Sequence, residues 1–520
     1  MKRSKKCAQP SILPSQQIPP CANSSVPGEL YEAVRPRRSV WMTLIGFLAV
    51  LTMPLGLAAQ QAPKHHMYKV IDVGTFGGPN SVFSAAIHGL NSQGVLIGGA
   101  ETPATNPDPG CFTVFGPDCS VVHAFRSQNG VTTDLGVLPG GSNSFPFGIN
   151  TVGWVVGASE NGVIDPVIGI PEFFAVLWRD GQVKNLGTLG GNESLASDVN
   201  DRGQITGFSA NTVPDSFSLL GFATQTRPFL WQHGVMRELD TLGGPDGAAY
   251  LINELGQIVG QFTLDSNPNP TTGFPTTHSI LWEPNGTPVD LGTLGGTNVN
   301  PWWINNLGQV VGQANLPGDS TYHAYSWDKG VLTDIGTLGG NLSVAFNVND
   351  AGEVVGRADV PGSQTHHAFL WKHGVMTDLG TTAGDPCATA FFVNSQGQIV
   401  GDSGACGVGG RAWLWENGGP IVDLNTLAIP GSGLHLADAD FINDRGEIAC
   451  TGFLPNGDRH AVILVPQGDC DDGCEARIAE SQINPAAIPV RAMTSSLKAA
   501  QHARFARRFR FHVPSVESNK

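Results

Sequence analysis

The chain has 520 residues, of which 67 are glycine and only 14% are charged. That mix suits an all-β protein with many tight turns and does not suit helical bundles, coiled coils or disorder. The net charge of −15 is uneven: residues 1–40 carry seven Lys/Arg against two Glu, residues 475–520 carry eight against three, and 41–474 are left at −25. An acidic body repels nucleic acid and anionic surfaces, so no nucleic-acid partner is expected.

In chain order, residues 1–60 read first as a targeting region. Basic residues at Arg35–Arg38 precede an apolar run from Val40 to Ala59 that contains Pro54 and Gly56 and closes on Leu57-Ala58-Ala59. This is the layout of a secretory signal cleaved near Ala59, and an N-terminal membrane anchor is the alternative. Cleavage would leave no membrane span and a secreted, extracellular or periplasmic protein. The 34 residues ahead of the basic flank are long for a signal and fit a true start at Val34. Cys7 and Cys21 would leave with it. Seven cysteines remain, as suits an exported protein, and their placement suggests the pairs Cys111–Cys119, Cys387–Cys406 and Cys470–Cys474, with Cys450 left over.

The body, 61–468, is a repeat. Eight copies of a "DLG" element begin at Asp72, Asp134, Asn185, Glu238, Asp290, Asp334, Asp378 and Asp423, the last three intervals being 44, 44 and 45 residues and the earlier ones 51 to 62. The common unit reads roughly "HAFLW-xxG-VxTDLGTLGG-xxSxAxxIN-DxG-QIVGxA". It supplies four short strands, each bounded by glycine or asparagine. "NDxG" links such as Asn349-Asp350-Ala351-Gly352 predict tight hairpins, with asparagine opening the turn and glycine closing it in the left-handed region. In His367–Trp371, Phe369 and Trp371 fall on one face and Ala368 and Leu370 on the other. Both faces are apolar, so each small sheet must be covered on both sides. Four-stranded sheets repeated at this period and buried between neighbours predict a β-propeller of eight blades, or seven if one degenerate copy forms none. The N-terminal copy starts directly at "YKVIDVGTFGG" (Tyr68–Gly78), and the C-terminal end supplies an orphan "HAVILV" (His460–Val465). One blade should therefore be completed by both termini, closing the ring and hiding its edges.

The recurring unit resembles the HAF-repeat proteins, probable extracellular repeat proteins of bacteria, through tripeptides such as His123-Ala124-Phe125 and His367-Ala368-Phe369. The match spans about 68–465, and the double glycine gives a looser likeness to kelch propellers. Ser279-Ile280-Leu281-Trp282 lacks the tripeptide, Thr382-Ala383-Gly384 breaks the double glycine, and the last copy reads "LNTLAIPG". The resemblance implies export and a repeat scaffold, and no chemistry.

No nucleophile elbow, zinc-binding helix, Walker loop or dinucleotide fingerprint occurs, so no catalytic, cofactor or metal residue is assigned. His123, His323, His367 and His460 recur at a strand start, where a hydrogen-bonded role fits better than a metal ring spread over several blades. The acidic "DCDDGCE" (Asp469–Glu475) offers carboxylates to calcium but lacks the length and spacing of a twelve-residue loop; a disulfide-stapled turn is expected, followed by a basic tail to residue 520. The adjacent Trp302 and Trp303 should point to opposite faces of a strand, and one of them could stack on a sugar. Insertions at 100–122, 158–173, 209–227 and 262–278 should raise one rim of the ring beside the channel mouth, where propellers carry function. The expected function is binding of a glycan or a cell-surface protein through these loops. A glycan-active hydrolase or lyase and a cell-surface or matrix scaffold are the alternatives.

Overall fold

The computed structural model describes residues 65–84, 88–107, 119–362, 365–416, 418–470, 473 and 476–478. The signal-like region, Cys111, Cys474, most of the acidic turn and the basic tail lie outside the described residues. The described chain is all-β apart from a four-residue helical turn, Leu424–Leu427, and helical residues at 473 and 476–478. It forms eight four-stranded antiparallel sheets arranged in a ring, an eight-bladed propeller. Blades 1 to 7 occupy 81–134, 144–187, 194–238, 247–290, 299–336, 343–380 and 387–423. Blade 8 joins three C-terminal strands within 435–469 to the N-terminal strand His66–Asp72, which pairs with Arg459–Asp469. The expected two-termini closure is thus present.

Each blade is half a period out of phase with the sequence repeat. In blade 6 the inner strand is Ser343–Val348, followed by Val354–Asp359, His366–Lys372 and the outer strand Val375–Gly380. The "HAFLW" and "DLG" elements are therefore the outer half of a blade, and "IN" and "VVG" the inner half. The two apolar faces find the expected cover. Phe369 and the half-buried Trp371 pack with Val311 and Ala324 of blade 5, whereas Ala368 and Leu370 pack with Ala388, Ala390 and Trp413 of blade 7.

Register explains why the motif couples "HAF" to "VVG". Gly356 lies opposite Phe369, and a Cβ at Gly356 would sit 1.9 Å from the Val344 carbonyl oxygen and 2.9 Å from the Phe369 ring. The glycine makes the room that the aromatic side chain fills. The histidine of the tripeptide bonds the aspartate of "DLG" on the outer strand: His123–Asp134, His278–Asp290, His323–Asp334, His367–Asp378 and His460–Asp72 all lie at 2.8–2.9 Å. Blade 4, whose "SILW" lacks the tripeptide, keeps the histidine in the same place, as His278, four residues before Trp282. In blade 3 Arg227 and Glu238 take the same two places. The carboxylate also accepts the amide two residues on, as Gly380 donates to Asp378.

The asparagines of the hairpin turns do more than turn chemistry requires. Seven of the eight accept two backbone N–H groups of their own turn, as Asn349 Oδ1 does from Ala351 and Glu353. Each Nδ2 then donates to the carbonyl of the equivalent asparagine in the next blade, at 2.9–3.1 Å, in the order Asn91, Asn150, Asn200, Asn253, Asn305, Asn349, Asn394, Asn443. Asn443 donates back to Asn91, 352 residues away, and completes the circle.

Candidate functional site

Two places combine accessibility with features that the ring itself does not need: the rim at one end of the strands and the central channel.

The rim arises from the hairpins between second and third strands. In blades 1–4 the second strands run ten or eleven residues, Leu96–Thr105, Val155–Ile164, Ile205–Pro214 and Ile258–Pro268. In blades 5–8 they run six or seven. The four predicted insertions are therefore four consecutive extended hairpins. Asp165 opens the tip of the blade 2 hairpin by accepting the N–H groups of Val167 and Ile168, and Asp215 does so in blade 3 with that of Phe217. A satellite core of Phe173, Phe208, Leu220 and Phe222 fills the space beneath these two hairpins. Ser266 of the blade 4 hairpin donates to Asp215 of blade 3. The rim is thus tied across blades, and its outward side chains are held in place. These include Val163, Ile164, Val167, Val213 and Leu264, between 45% and 69% exposed. Every large hydrophobic residue exposed among the described residues is aliphatic; none is Trp, Phe or Tyr.

Two carboxyl pairs lie under the rim, where the blade 2 and blade 3 hairpins meet the following blade. Burial first, then the neighbouring Asp165, pushes the Glu193 carboxyl up to about 8. Burial and Asp215 push Asp246 up to about 7 against the Thr226 N–H that it accepts. Burial opposes ionisation of Asp165 as well, but Asn192 and the Ile168 and Val167 amides outweigh it and hold its carboxyl low. All four carboxyls are less than 10% exposed. They are joints of the wall, closed to a substrate, and no open pair of facing carboxylates stands among them.

In the channel, inner strands carry a β-bulge at one recurrent position, between Ala345 and Asn347 in blade 6 and between Pro301 and Trp303 in blade 5. Trp302 is the extra residue of that bulge, so the strict alternation expected of the tryptophan pair does not apply. Both are half-buried. Trp302 stacks edge-on to Phe346, which meets Phe391 in the same way, both at 5.6 Å between ring centres. Trp303 lies 5.2 Å from Phe392 of blade 7 and 4.8 Å from His88 of blade 1. Blades 1 and 5 are opposite in an eight-membered ring, so His88 and Trp303 can meet only across the channel. His88 Nδ1 lies 2.9 Å from Asp198 of blade 3, a fully buried carboxylate that also accepts the N–H groups of Val199 and Ile252. Enclosure works against protonation of His88, but Asp198 outweighs it and raises the imidazole above its ordinary value.

The His88–Asp198 pair escapes a reading of the repeat. Its signal was countable: six residues separate Ser343 from Asn349, and ten separate the equivalent Ser81 from Asn91.

Of the cysteines, Cys387 and Cys406 form the expected disulfide across one hairpin of blade 7, and Cys450 is free and buried. Cys119 and Cys470 are each disulfide-bonded. The one cluster of metal-ligating residue types among the described residues is His366 with Cys387 and Cys406, and the disulfide consumes both thiols. No helix of the described residues is long and apolar enough to cross a membrane.

No family model and no curated protein matches the chain. Solved structures do. The β-propeller domain of the Trilobed protease from Pyrococcus furiosus is 10% identical over 67% of this chain and 96% of its own, with a TM-score of 0.40. Dipeptidyl peptidase 4 of Porphyromonas gingivalis is 9% identical over 76% of this chain and 62% of its own, with a TM-score of 0.41. A gluconolactonase from Xanthomonas campestris is 11% identical over 76% of this chain and all of its own, with a TM-score of 0.28.

Proposed function

We propose that the protein is an exported, non-enzymatic binding propeller that holds a protein partner against the raised rim of blades 1–4. The observation that carries this reading is the exposed aliphatic side chains on the hairpins of blades 2, 3 and 4, mounted on a wall with its own core. A pre-ordered apolar surface loses little entropy on binding. The insertions 100–122, 158–173, 209–227 and 262–278 contain no Lys and one Arg, Arg227, which is paired with Glu238, and they hold Glu101, Glu160, Asp165, Glu172, Asp215 and Asp265 among others. A partner with an apolar patch fringed by basic residues complements such a rim. A glycan would call for exposed aromatic faces there, and the exposed hydrophobic residues are all aliphatic. The signal-like segment and the Cys387–Cys406 disulfide support a site of action outside the cytoplasm, and the recurring tripeptide supports kinship with the HAF-repeat proteins.

Site-resolved photo-crosslinking in the producing cells tests this. A photoreactive phenylalanine analogue placed at Val167 or Leu264 should give one protein adduct that is absent from Val375, which lies at the other end of the strands, and that disappears when Val163 and Ile164 are replaced by Asp. Equal adducts from all three positions, or none from the rim, would sink the reading. An adduct made only with a second copy of the chain would favour a self-assembling scaffold.

A further inference from the structure

The channel cluster is separate from the rim, and neither ring closure nor partner binding requires it. Its four residues come from blades 1, 3, 5 and 7: His88, Asp198, Trp303 and Phe392. Asp198 has three partners, so both of its oxygens are occupied. It fixes His88 through Nδ1 and leaves Nε2 without a partner among the described residues, on a side chain that is 35% exposed. Trp303 and Phe392, both half-buried, continue the site as an aromatic wall that reaches Phe441 of blade 8 at 5.4 Å.

We propose that this cluster is a second binding site, which takes one neutral hydroxylated ring, a sugar unit, with its apolar face on Trp303 and Phe392 and a hydroxyl on His88 Nε2. The chemistry selects that class. An imidazole held at Nδ1 by a carboxylate accepts a hydrogen bond at Nε2 when neutral and donates one when protonated, and a hydroxyl group matches either state. A cation would find both Asp198 oxygens already engaged. An anion would meet a dyad with no net positive charge in either state of the imidazole, in a body at −25. A few placed polar groups beside apolar aromatic rings are the usual composition of a small-molecule site.

Ligand-detected NMR on the intact protein, with neutral methyl hexosides as probes and methyl glucuronide and glucosamine as charged counterparts, tests the proposal. A neutral hexoside should bind, and His88→Ala should weaken it about tenfold, the loss of one hydrogen bond. His88→Gln, which keeps an acceptor and a donor, should restore part of the affinity. Trp303 also packs into the core between blades, so Trp303→Ala is read only beside an unchanged thermal melt, and Trp303→Phe should retain binding. Failure of every hexoside to bind, affinity unchanged in His88→Ala, or binding confined to the glucuronide or to glucosamine would each overturn the proposal. Substitutions at Val163 and Ile164 should leave hexoside binding unchanged, so failure here and failure of the rim reading are distinguishable.

Discussion

Asn349 does three things with one amide. Its Oδ1 closes its own turn, and its Nδ2 bonds both Glu353 and the next blade. Asn349→Asp keeps the acceptor, removes the donor and sets a charge beside Glu353. It should lower unfolding stability by about 2 kcal/mol, the cost of leaving a buried carbonyl unmet, and denaturant titration would read this. The turn role was legible in the sequence because it acts within four residues. The circle was not, because each bond joins positions 44 to 59 apart and the last joins positions 352 apart. The His–Asp pairs were half legible. Recurrence at a strand start showed hydrogen-bonded histidines, and only register named the partner. For His460 and Asp72 the pH dependence has a definite sign. Hydrogen bonding to Asp72 raises His460, so its contribution is full below 6.5 and is lost as pH rises through the raised value. Burial opposes ionisation of Asp72, but His460 and the Gly74 amide lower its carboxyl overall, so its contribution is full above 3.8 and is lost as pH falls through the lowered value. The clasp should be firmest at mildly acidic pH. Thermal melts across pH should show that His460→Ala removes this preference.

Among the elements, strands, hairpins and four-stranded blades followed from the sequence, and the order of strands within a blade did not. The repeat "HAFLW…DLG…IN…VVG" is circular, so periodicity shows four strands without saying which is innermost. Only the sheet order, with Ser343–Val348 inside and Val375–Gly380 outside, fixes the phase. The Gly356–Phe369 contact then becomes testable. Gly356→Ala should destabilise by about 1–3 kcal/mol, because the added Cβ collides with backbone that cannot yield; a lowered denaturation midpoint would show it. The rim hairpins carry the opposite kind of sensitivity. Glu193 and Asp246 are held above their ordinary values of 4.5 and 3.8, at about 8 and about 7. The folded state therefore holds their protons more tightly than the unfolded chain. Stability should fall as pH rises from roughly 4 to 8 and level off above. Glu193→Gln and Asp246→Asn, melted at pH 5 and pH 8.5, should each flatten part of that fall.

At the scale of the molecule, an orphan strand at each end of the repeat made the closure legible, and His66–Asp72 pairing with Arg459–Asp469 realises it. The channel cluster stayed hidden because its contacts are neither local nor between neighbouring blades. The same geometry divides labour. The repeated residues build a ring that closes through eight asparagines and a shared blade, and departures from the repeat, four long hairpins and the longer stretch from Ser81 to Asn91, supply the surfaces with something to bind. The most direct test of that division is to replace the hairpins of blades 2, 3 and 4 with the short turn of blade 6, 360–365, and to measure partner adducts from crosslinkers retained elsewhere on the rim of blade 1. The trimmed ring should melt within a few degrees of the parent protein and should give no adduct. An adduct retained at full yield by a folded, trimmed ring would contradict the account.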